Sequence, residues 1–379
     1  MARLGVHRLR DQTSHPISSS ASGVEAAPPK MGISFLIVSR LAGSRPLPSR
    51  ERFFVKIAFG APSSEYTDVI LEYLKKGLPD DTLLRWQPGE QLPMDDIEVL
   101  LAMGPVTREI LGSLPKLLLI QTLTDGYETV DIDAATEMGV WVSYSPGDVT
   151  GNADAVAEYA VLLLLAAARR LGVALASIRD SSVRKPGASP SLVQKTVCIV
   201  GPGSIGAKIA QRLLPFGVRL TAVDRDPLHS PKEIPTRPIR KLKEAVAEAD
   251  FVVLSVRATK ETKHMIDAAV LAAMKKGAAL VNIARGSLVD EKALYDAVKS
   301  GHIGGAGLDV LEHEPVQADN PLLTLSQVFV TPHVAGQTDL TIEGTAAYII
   351  EVIGKLKAGE QIASALNEPK EPRRVLGRR

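Results

Sequence analysis

Thr196-Val-Cys-Ile-Val-Gly-Pro-Gly-Ser-Ile-Gly206, followed by a helical stretch to Gly217, the apolar run Arg219-Leu-Thr-Ala-Val223 and then Asp224, decides the fold of this chain. It reads as strand, tight turn, helix, strand and acid. Gly201 permits the strand-to-helix turn, Gly203 lets backbone approach a pyrophosphate, and Gly206 lets the helix close on the strand. The helix opening at Ser204 and Ile205 would turn its unpaired N–H groups toward phosphates. Asp224, at the end of the second run, is placed to accept hydrogen bonds from ribose hydroxyls, as in an NAD site. A glycine triplet alone is weak evidence, but here every flanking part stands at the expected spacing.

Outward from this unit the alternation continues. Extended segments near 196–201, 219–224, 251–256, 278–284, 305–310 and 327–331 predict six strands of a doubly wound parallel sheet, with helices between the first five. Upstream, Phe53 to Gly60 reads as a strand, Tyr66 to Lys76 as a helix and Asp96 to Gly104 as a strand. Thr107 to Ser113 is then helical, Leu117 to Thr122 extended, Asp131 to Met138 helical and Val140 to Tyr144 extended. That is a second parallel α/β layer. One long helix from about Ala153 to Leu171 joins the two. After His333 a single apolar face, Ala346, Ile349, Ile350, Ile353 and Leu356, closed by Gly359, predicts a helix returning to the first layer. The expected fold class is therefore α/β, a Rossmann sheet inserted into a smaller, flavodoxin-like α/β substrate domain. The expected boundaries are 1–52 for a disordered extension or an upstream start, 53–150 with 337–379 for the substrate domain, and 151–336 for the dinucleotide domain.

Composition narrows the function classes. The 379 residues are 45% hydrophobic, ample for two packed cores. Residues 1–52 hold eight Lys/Arg against three Asp/Glu, which leaves 36 basic and 40 acidic residues in the rest. A mildly acidic body lacks the basic stripe that nucleic acid requires. The Arg-bearing tail after Pro372 is expected to be solvated and frayed. The lone Cys198 sits in a strand where a small buried hydrophobe belongs, which fits core packing and a reducing compartment such as the cytoplasm. The longest apolar run, Ala160 to Ala168, is too short for a bilayer, which takes about 20 residues, so no membrane partner is expected.

Three polar residues stand at predicted carboxyl ends of strands: Arg285 after Ala279-Leu-Val-Asn-Ile-Ala284, Glu314 after Gly307-Leu-Asp-Val-Leu-Glu-His313, and His333 after Val328-Phe-Val-Thr-Pro332. Reducing a 2-oxo acid requires a fixed cation for the carboxylate and an acid for the carbonyl oxygen. A guanidinium meets a carboxylate with two bonds and stays charged at any working pH. An imidazolium releases a proton near neutrality. Glu314, if bonded to the far ring nitrogen, would orient the ring and stabilise its charged form. His313, beside Glu314, should point elsewhere as a structural or exposed residue.

With these residues in place the chain resembles the D-isomer-specific 2-hydroxyacid dehydrogenases over nearly everything from Phe53 to Gly359. The carrying stretches are Val200-Gly-Pro-Gly-Ser-Ile-Gly206, Val281-Asn-Ile-Ala-Arg-Gly-Ser-Leu-Val-Asp290, Gly304-Gly-Ala-Gly-Leu-Asp-Val310 with Glu314-Pro315, and Thr331-Pro-His-Val-Ala-Gly336. The resemblance implies catalytic Arg285, Glu314 and His333. It implies cofactor contacts from Gly201, Gly203, Ser204, Ile205, Gly206, Asp224, Arg225, Val256, Ala284, Asp309 and Gly336, with Asp309 and Gly336 near the nicotinamide end. It implies a substrate-carboxylate loop at Thr122-Leu-Thr-Asp-Gly-Tyr127, with Thr124, Asp125 and Gly126 at its centre, and a homodimer.

Three departures stand out. Asp125 occupies a position that is commonly small and neutral, so its carboxylate is expected to point away or to tune specificity. Arg257 stands where relatives have proline, either selecting a phosphorylated partner or as a solvated loop charge. A tryptophan-containing segment is replaced by Ser181-Ser-Val-Arg-Lys-Pro-Gly-Ala-Ser-Pro190. Arg225 beside Asp224 could hold the extra phosphate of NADP, but the aspartate repels it, so NAD is the expected cofactor. The expected function is NAD-dependent interconversion of a small 2-oxo acid, such as glyoxylate or hydroxypyruvate, and its D-2-hydroxy acid. The alternatives are a phosphoglycerate dehydrogenase, made less expected by how soon the chain ends after the returning helix, and a non-enzymatic NAD(H)-sensing, corepressor-like binding protein.

Overall fold

The computed structural model describes residues 54–377 apart from 88, 91–94 and 180–186. The expected N-terminal extension, 1–52, and most of the segment replacing the tryptophan stretch lie outside the described residues.

The first sheet is built from β1 (Lys56–Gly60), β2 (Thr82–Trp86), β3 (Val99–Ala102), β4 (Leu119–Thr122) and β5 (Trp141–Ser143), all parallel, in the order β2-β1-β3-β4-β5. This is the flavodoxin-like order. Strand β2 is absent from the sequence reading. It is a half-exposed edge strand, with only Trp86 buried, and its pairing with β1 rather than an apolar run makes it a strand. Helix Glu65–Gly77 follows β1; Ser64 and Thr67 close a reciprocal capping box at its start, and Lys75 and Lys76 face the negative end of its dipole.

The helix Asp339–Ala358 lies against that first helix. Ile349, Val352, Ile353 and Leu356 share one core with Ile70, Leu74, Val99 and Leu101, and Ile350 packs directly over Gly77. Each fully buried aliphatic side chain of this kind stabilises by about 1.5–3 kcal/mol. The tail after Pro372 is not frayed as far as Gly377. Arg373 donates from its backbone to the Gly139 carbonyl at 2.9 Å and from its guanidinium to the carbonyls of Leu114 and Leu117 at 2.9 and 3.2 Å. Arg374 reaches the Lys357 carbonyl, and Trp141 Nε1 donates to the Arg374 carbonyl. Arginines that look solvated in sequence are here donors for carbonyls left open at turns and helix ends.

The second sheet holds β6 (Thr196–Val200), β7 (Arg219–Asp224), β8 (Thr236–Pro238), β9 (Phe251–Leu254), β10 (Ala278–Asn282), β11 (Ile303–Leu308) and β12 (Val328–Val330), again wholly parallel, in the order β12-β11-β10-β9-β6-β7-β8. It has seven strands, one more than expected. The extra strand β8 is three residues long and ends in proline, tolerable only at an edge, so no hydrophobic run announces it. Strand β6 explains the near-continuous apolar sequence of the interior strands. Cys198 and Val200 enter the core on one face while Val197 and Ile199 enter the core on the other, so no position faces water. Burial drives the Cys198 thiol up to about 11, against a smaller opposing effect of Thr221, so it packs as a hydrophobe.

The expected connecting helix, about Ala153 to Leu171, is Asn152–Ala168, and a second helix absent from the sequence reading follows it. Asn152–Ala168 and Leu171–Arg179 meet at 60°, and Arg170 at the break takes a positive φ of 50°. Among the described residues no single helix is long and apolar enough to cross a membrane.

Candidate active site

The turn between β6 and the helix Ser204–Leu213 shows why its glycines are required. Gly201 has φ +85°, and a Cβ there would lie 2.6 Å from the Val256 Cα. A Cβ on Gly206 would lie 2.5 Å from the Gly201 carbonyl oxygen, so any side chain would push helix off strand. Around Gly203 a Cβ would meet nothing within 4 Å, which leaves open space on the side where backbone would meet a ligand. The Gly203 N-cap supplies no side-chain hydrogen bond, so the first-turn N–H groups keep their anion-binding capacity. Asp224 ends β7, and its Oδ1 accepts from the Asp226 backbone at 2.8 Å. Arg225 is exposed beside it. The turn, the uncapped helix and the strand-end acid fit a dinucleotide.

Arg285, Glu314 and His333 come together. His333 Nδ1 lies 2.9 Å from Glu314 Oε2, and Glu314 Oε1 accepts from the Leu311 backbone at 3.1 Å. Half-burial pushes the Glu314 carboxyl upward. The His333 hydrogen bond and charge, the Leu311 N–H and the Arg285 guanidinium outweigh it and hold the group below its ordinary value. Arg285 stands at the neighbouring strand end, where the adjoining Gly286 packs on the backbone of Leu311, whose N–H donates to Glu314. His333 Nε2 has no protein hydrogen-bond partner among the described residues, and the ring is half exposed, as an acid facing a ligand must be. His313 is exposed.

Three residues set these groups in place. Asn282, buried at the end of β10, accepts from the Ala284 N–H at 3.1 Å and donates to the Arg285 carbonyl at 2.9 Å, which shapes the bend that presents Arg285. Gly286 packs flush on the next strand's exit: a Cβ there would overlap the Leu311 backbone at 1.8 Å. Asp309 is buried, and its carboxyl oxygens accept from Thr331 Oγ1 at 2.6 Å and from the backbones of Val334 and Ala335 at 2.9 and 2.8 Å. Its carbonyl accepts from the His333 N–H at 2.8 Å. The structure therefore places the Asp309 side chain beneath the His333 loop, where it holds His333 at a positive φ of 55°. Gly336 packs on Asn152 at the head of the connecting helix. The signal for Asn282 and Asp309 is in the sequence: one ends and the other directly follows an otherwise apolar strand, and such polar groups are buried only with partners.

The substrate loop approaches from the first sheet. Thr122 Oγ1 donates to the Thr124 carbonyl, and Thr124 Oγ1 to the Gly126 carbonyl. A Cβ on Gly126 would lie 2.1 Å from Arg285 Nη2, and that nitrogen also meets Glu128 Oε2 at 3.3 Å. The strand-end arginine of one sheet thus touches the loop of the other. Asp125 Oδ1 accepts from the Gly147 N–H at 3.1 Å, and its Oδ2 lies 3.7 Å from Arg257.

Comparison with known proteins agrees with this geometry. Residues 161–335 match the family model described as D-isomer specific 2-hydroxyacid dehydrogenase, NAD binding domain. A glyoxylate reductase from Korarchaeum cryptofilum is 38% identical over 282 residues, covering 72% of this chain and 83% of that protein. The chain belongs to the D-isomer-specific 2-hydroxyacid dehydrogenase family. Another family member, the D-3-phosphoglycerate dehydrogenase of Methanocaldococcus jannaschii, is 36% identical over 334 residues; the match covers 86% of this chain but only 62% of the relative's length. The crystal structure of an NADPH-dependent glyoxylate/hydroxypyruvate reductase from Sinorhizobium meliloti superimposes with a TM-score of 0.72 at 27% identity, over 83% of this chain and 99% of that one.

Proposed function

We propose that this 2-hydroxyacid dehydrogenase family member is an NAD-dependent oxidoreductase interconverting a small 2-oxo acid and its D-2-hydroxy acid. The observation that carries the reading is the 2.9 Å His333–Glu314 pair, with Arg285 at the adjacent strand end. In the reductive direction Arg285 and the backbone of the loop at Thr124 and Gly126 bind the substrate carboxylate, Arg285 exchanging its Glu128 contact for it. A dinucleotide held through its pyrophosphate by the turn at Gly201, Gly203 and Gly206 and through its ribose by Asp224 would supply the hydride that reduction of the carbonyl requires. His333 gives its proton to the carbonyl oxygen as negative charge develops there, and in oxidation it takes that proton back. Glu314 holds the ring by Nδ1 and faces the charged imidazolium, the role of an orienting carboxylate.

NAD is favoured over NADP because the Asp224 carboxylate at the end of β7 repels a 2′-phosphate. A clear preference for NADPH in Michaelis constants would reverse this choice. The test of activity is NADH consumption with glyoxylate, hydroxypyruvate, pyruvate, phenylpyruvate and 3-phosphohydroxypyruvate. The last substrate is included because of the match to phosphoglycerate dehydrogenases, and turnover confined to it would select that activity. Tight NADH binding with no turnover of any 2-oxo acid would overturn the enzyme reading. We further propose a homodimer in the cytoplasm. Exposed Leu171, Leu175 and Ile178 on the second connecting helix supply apolar surface for a partner, and the single buried cysteine suits a reducing compartment. A monomer by light scattering would refute the first.

A further inference from the structure

The two charged residues that stand out most in the cleft sequence, Asp125 and Arg257, are partners. They come from opposite sheets, Asp125 from the loop after β4 and Arg257 from the segment after β9, and their charged ends lie 3.7 Å apart. The Arg257 guanidinium also covers the Tyr127 ring at 5.0 Å, and Tyr127 leans on Tyr144 with ring centroids 5.5 Å apart. Tyr144 registers both charges: its hydroxyl is raised above its ordinary value by burial first and by Asp125 next, with Arg257 opposing. Along the loop the contacts alternate. Residues 125 and 127 meet Arg257, while 126 and 128 meet Arg285. Two arginines of the nucleotide-binding sheet therefore grip one loop of the other sheet, each opposite a carboxylate.

This arrangement addresses a physical difficulty. An acid at position 125, next to the residues proposed to receive a substrate carboxylate, would repel every anionic substrate. Here its two oxygens are taken up by the Gly147 N–H and the Arg257 guanidinium. Resting on the dehydrogenase reading above, we propose that Arg257 is a positioning residue for substrate binding: it neutralises Asp125 and holds that carboxylate off the substrate-carboxylate site.

The proposal predicts an asymmetry. Loss of Arg257 leaves an unpaired anion at the site, whereas loss of the Asp125 charge leaves a cation that an anionic substrate tolerates. Arg257→Met removes the charged guanidinium but keeps an unbranched stem over Tyr127, which separates the electrostatic effect from the lost packing of Arg257→Ala. For the best 2-oxo acid of the panel, Arg257→Met and Arg257→Ala should raise KM roughly tenfold, the effect expected of one poorly screened charge near the substrate. Their kcat and NADH affinity should stay near those of the parent. The increase should shrink as salt is added, because salt screens repulsion. Asp125→Asn alone should not raise KM, Asp125→Asn with Arg257→Met should restore it, and Arg257→Lys should preserve it. If both single losses raise KM alike, the pair is a structural latch and the proposal is wrong. An unchanged KM in Arg257→Met, with the parent active, overturns this inference and leaves the dehydrogenase reading standing. A parent protein that turns over no 2-oxo acid and binds no oxamate in the presence of NADH overturns both.

Discussion

The glycine turn at 201–206 and the substrate loop at 122–128 serve one cleft but are specified in opposite ways. In the turn the backbone is the device: φ +85° at Gly201 and contacts below 3 Å for any Cβ at 201 or 206 leave little choice of residue. The loop is held by side chains that arrive from the other sheet, Arg285 at Gly126 and Glu128, Arg257 at Asp125 and Tyr127. A device made of backbone is written locally. A device made of long-range ion pairs depends on how two sheets meet.

The largest expected effect lies on the side-chain half. His333→Ala should lower kcat by roughly 10²–10⁴-fold, the usual loss when a positioned acid is removed. NADH affinity and melting temperature should stay close to the parent's; a variant that retains the full rate removes His333 as proton donor. Arg285→Ala should raise KM and depress kcat together, since the cation binds and orients the same carboxylate. On the backbone half, Gly201→Ala should destabilise the protein by about 1–3 kcal/mol and weaken NADH binding in parallel, because a strained φ and a clash with Val256 disturb fold and turn at once. An alanine variant that binds NADH normally and melts like the parent would erase the distinction drawn here.

A smaller effect concerns acid. Glu314 is held below its ordinary value in the folded protein, so the unfolded chain takes up its proton first as pH falls. The stability Glu314 contributes is full above its unfolded value and is lost as pH drops through the lowered folded one. Urea denaturation of parent and Glu314→Gln should therefore differ most near neutrality and converge in strong acid. Divergence toward acid would contradict the sign. The smallest effect is expected from Arg373→Ala, about 1 kcal/mol for hydrogen bonds to two turn carbonyls, read as a lower urea midpoint.

Much of this molecule is legible in one dimension. The interior strands β6, β9 and β10 are apolar on both faces, so they appear as unbroken runs. The edge strands β2 and β8 are hard to read because half of each faces solvent, and the helix Leu171–Arg179 because Gly172 interrupts its start and its apolar residues Leu171, Leu175 and Ile178 stay exposed. Arg373 and Arg374 looked solvated for a similar reason: their partners are main-chain carbonyls, which leave no trace in sequence. The identities of Arg285, Glu314 and His333 could be read from their positions after strands. Their support by Asn282 and Asp309 is hinted at only by polar residues at the ends of apolar strands.

The amino-acid sequence alone determined the periodicities, the glycine turn and the chemical types at the strand ends, because these depend on neighbours within a few residues. The tertiary structure decided which strand-end groups touch, how the loop of one sheet is gripped by the arginines of the other, and that Asp125 and Arg257 oppose one another. Those outcomes depend on distances between residues well separated in sequence, 19 positions for His333 and Glu314 and more than a hundred for the loop contacts, which tertiary packing sets.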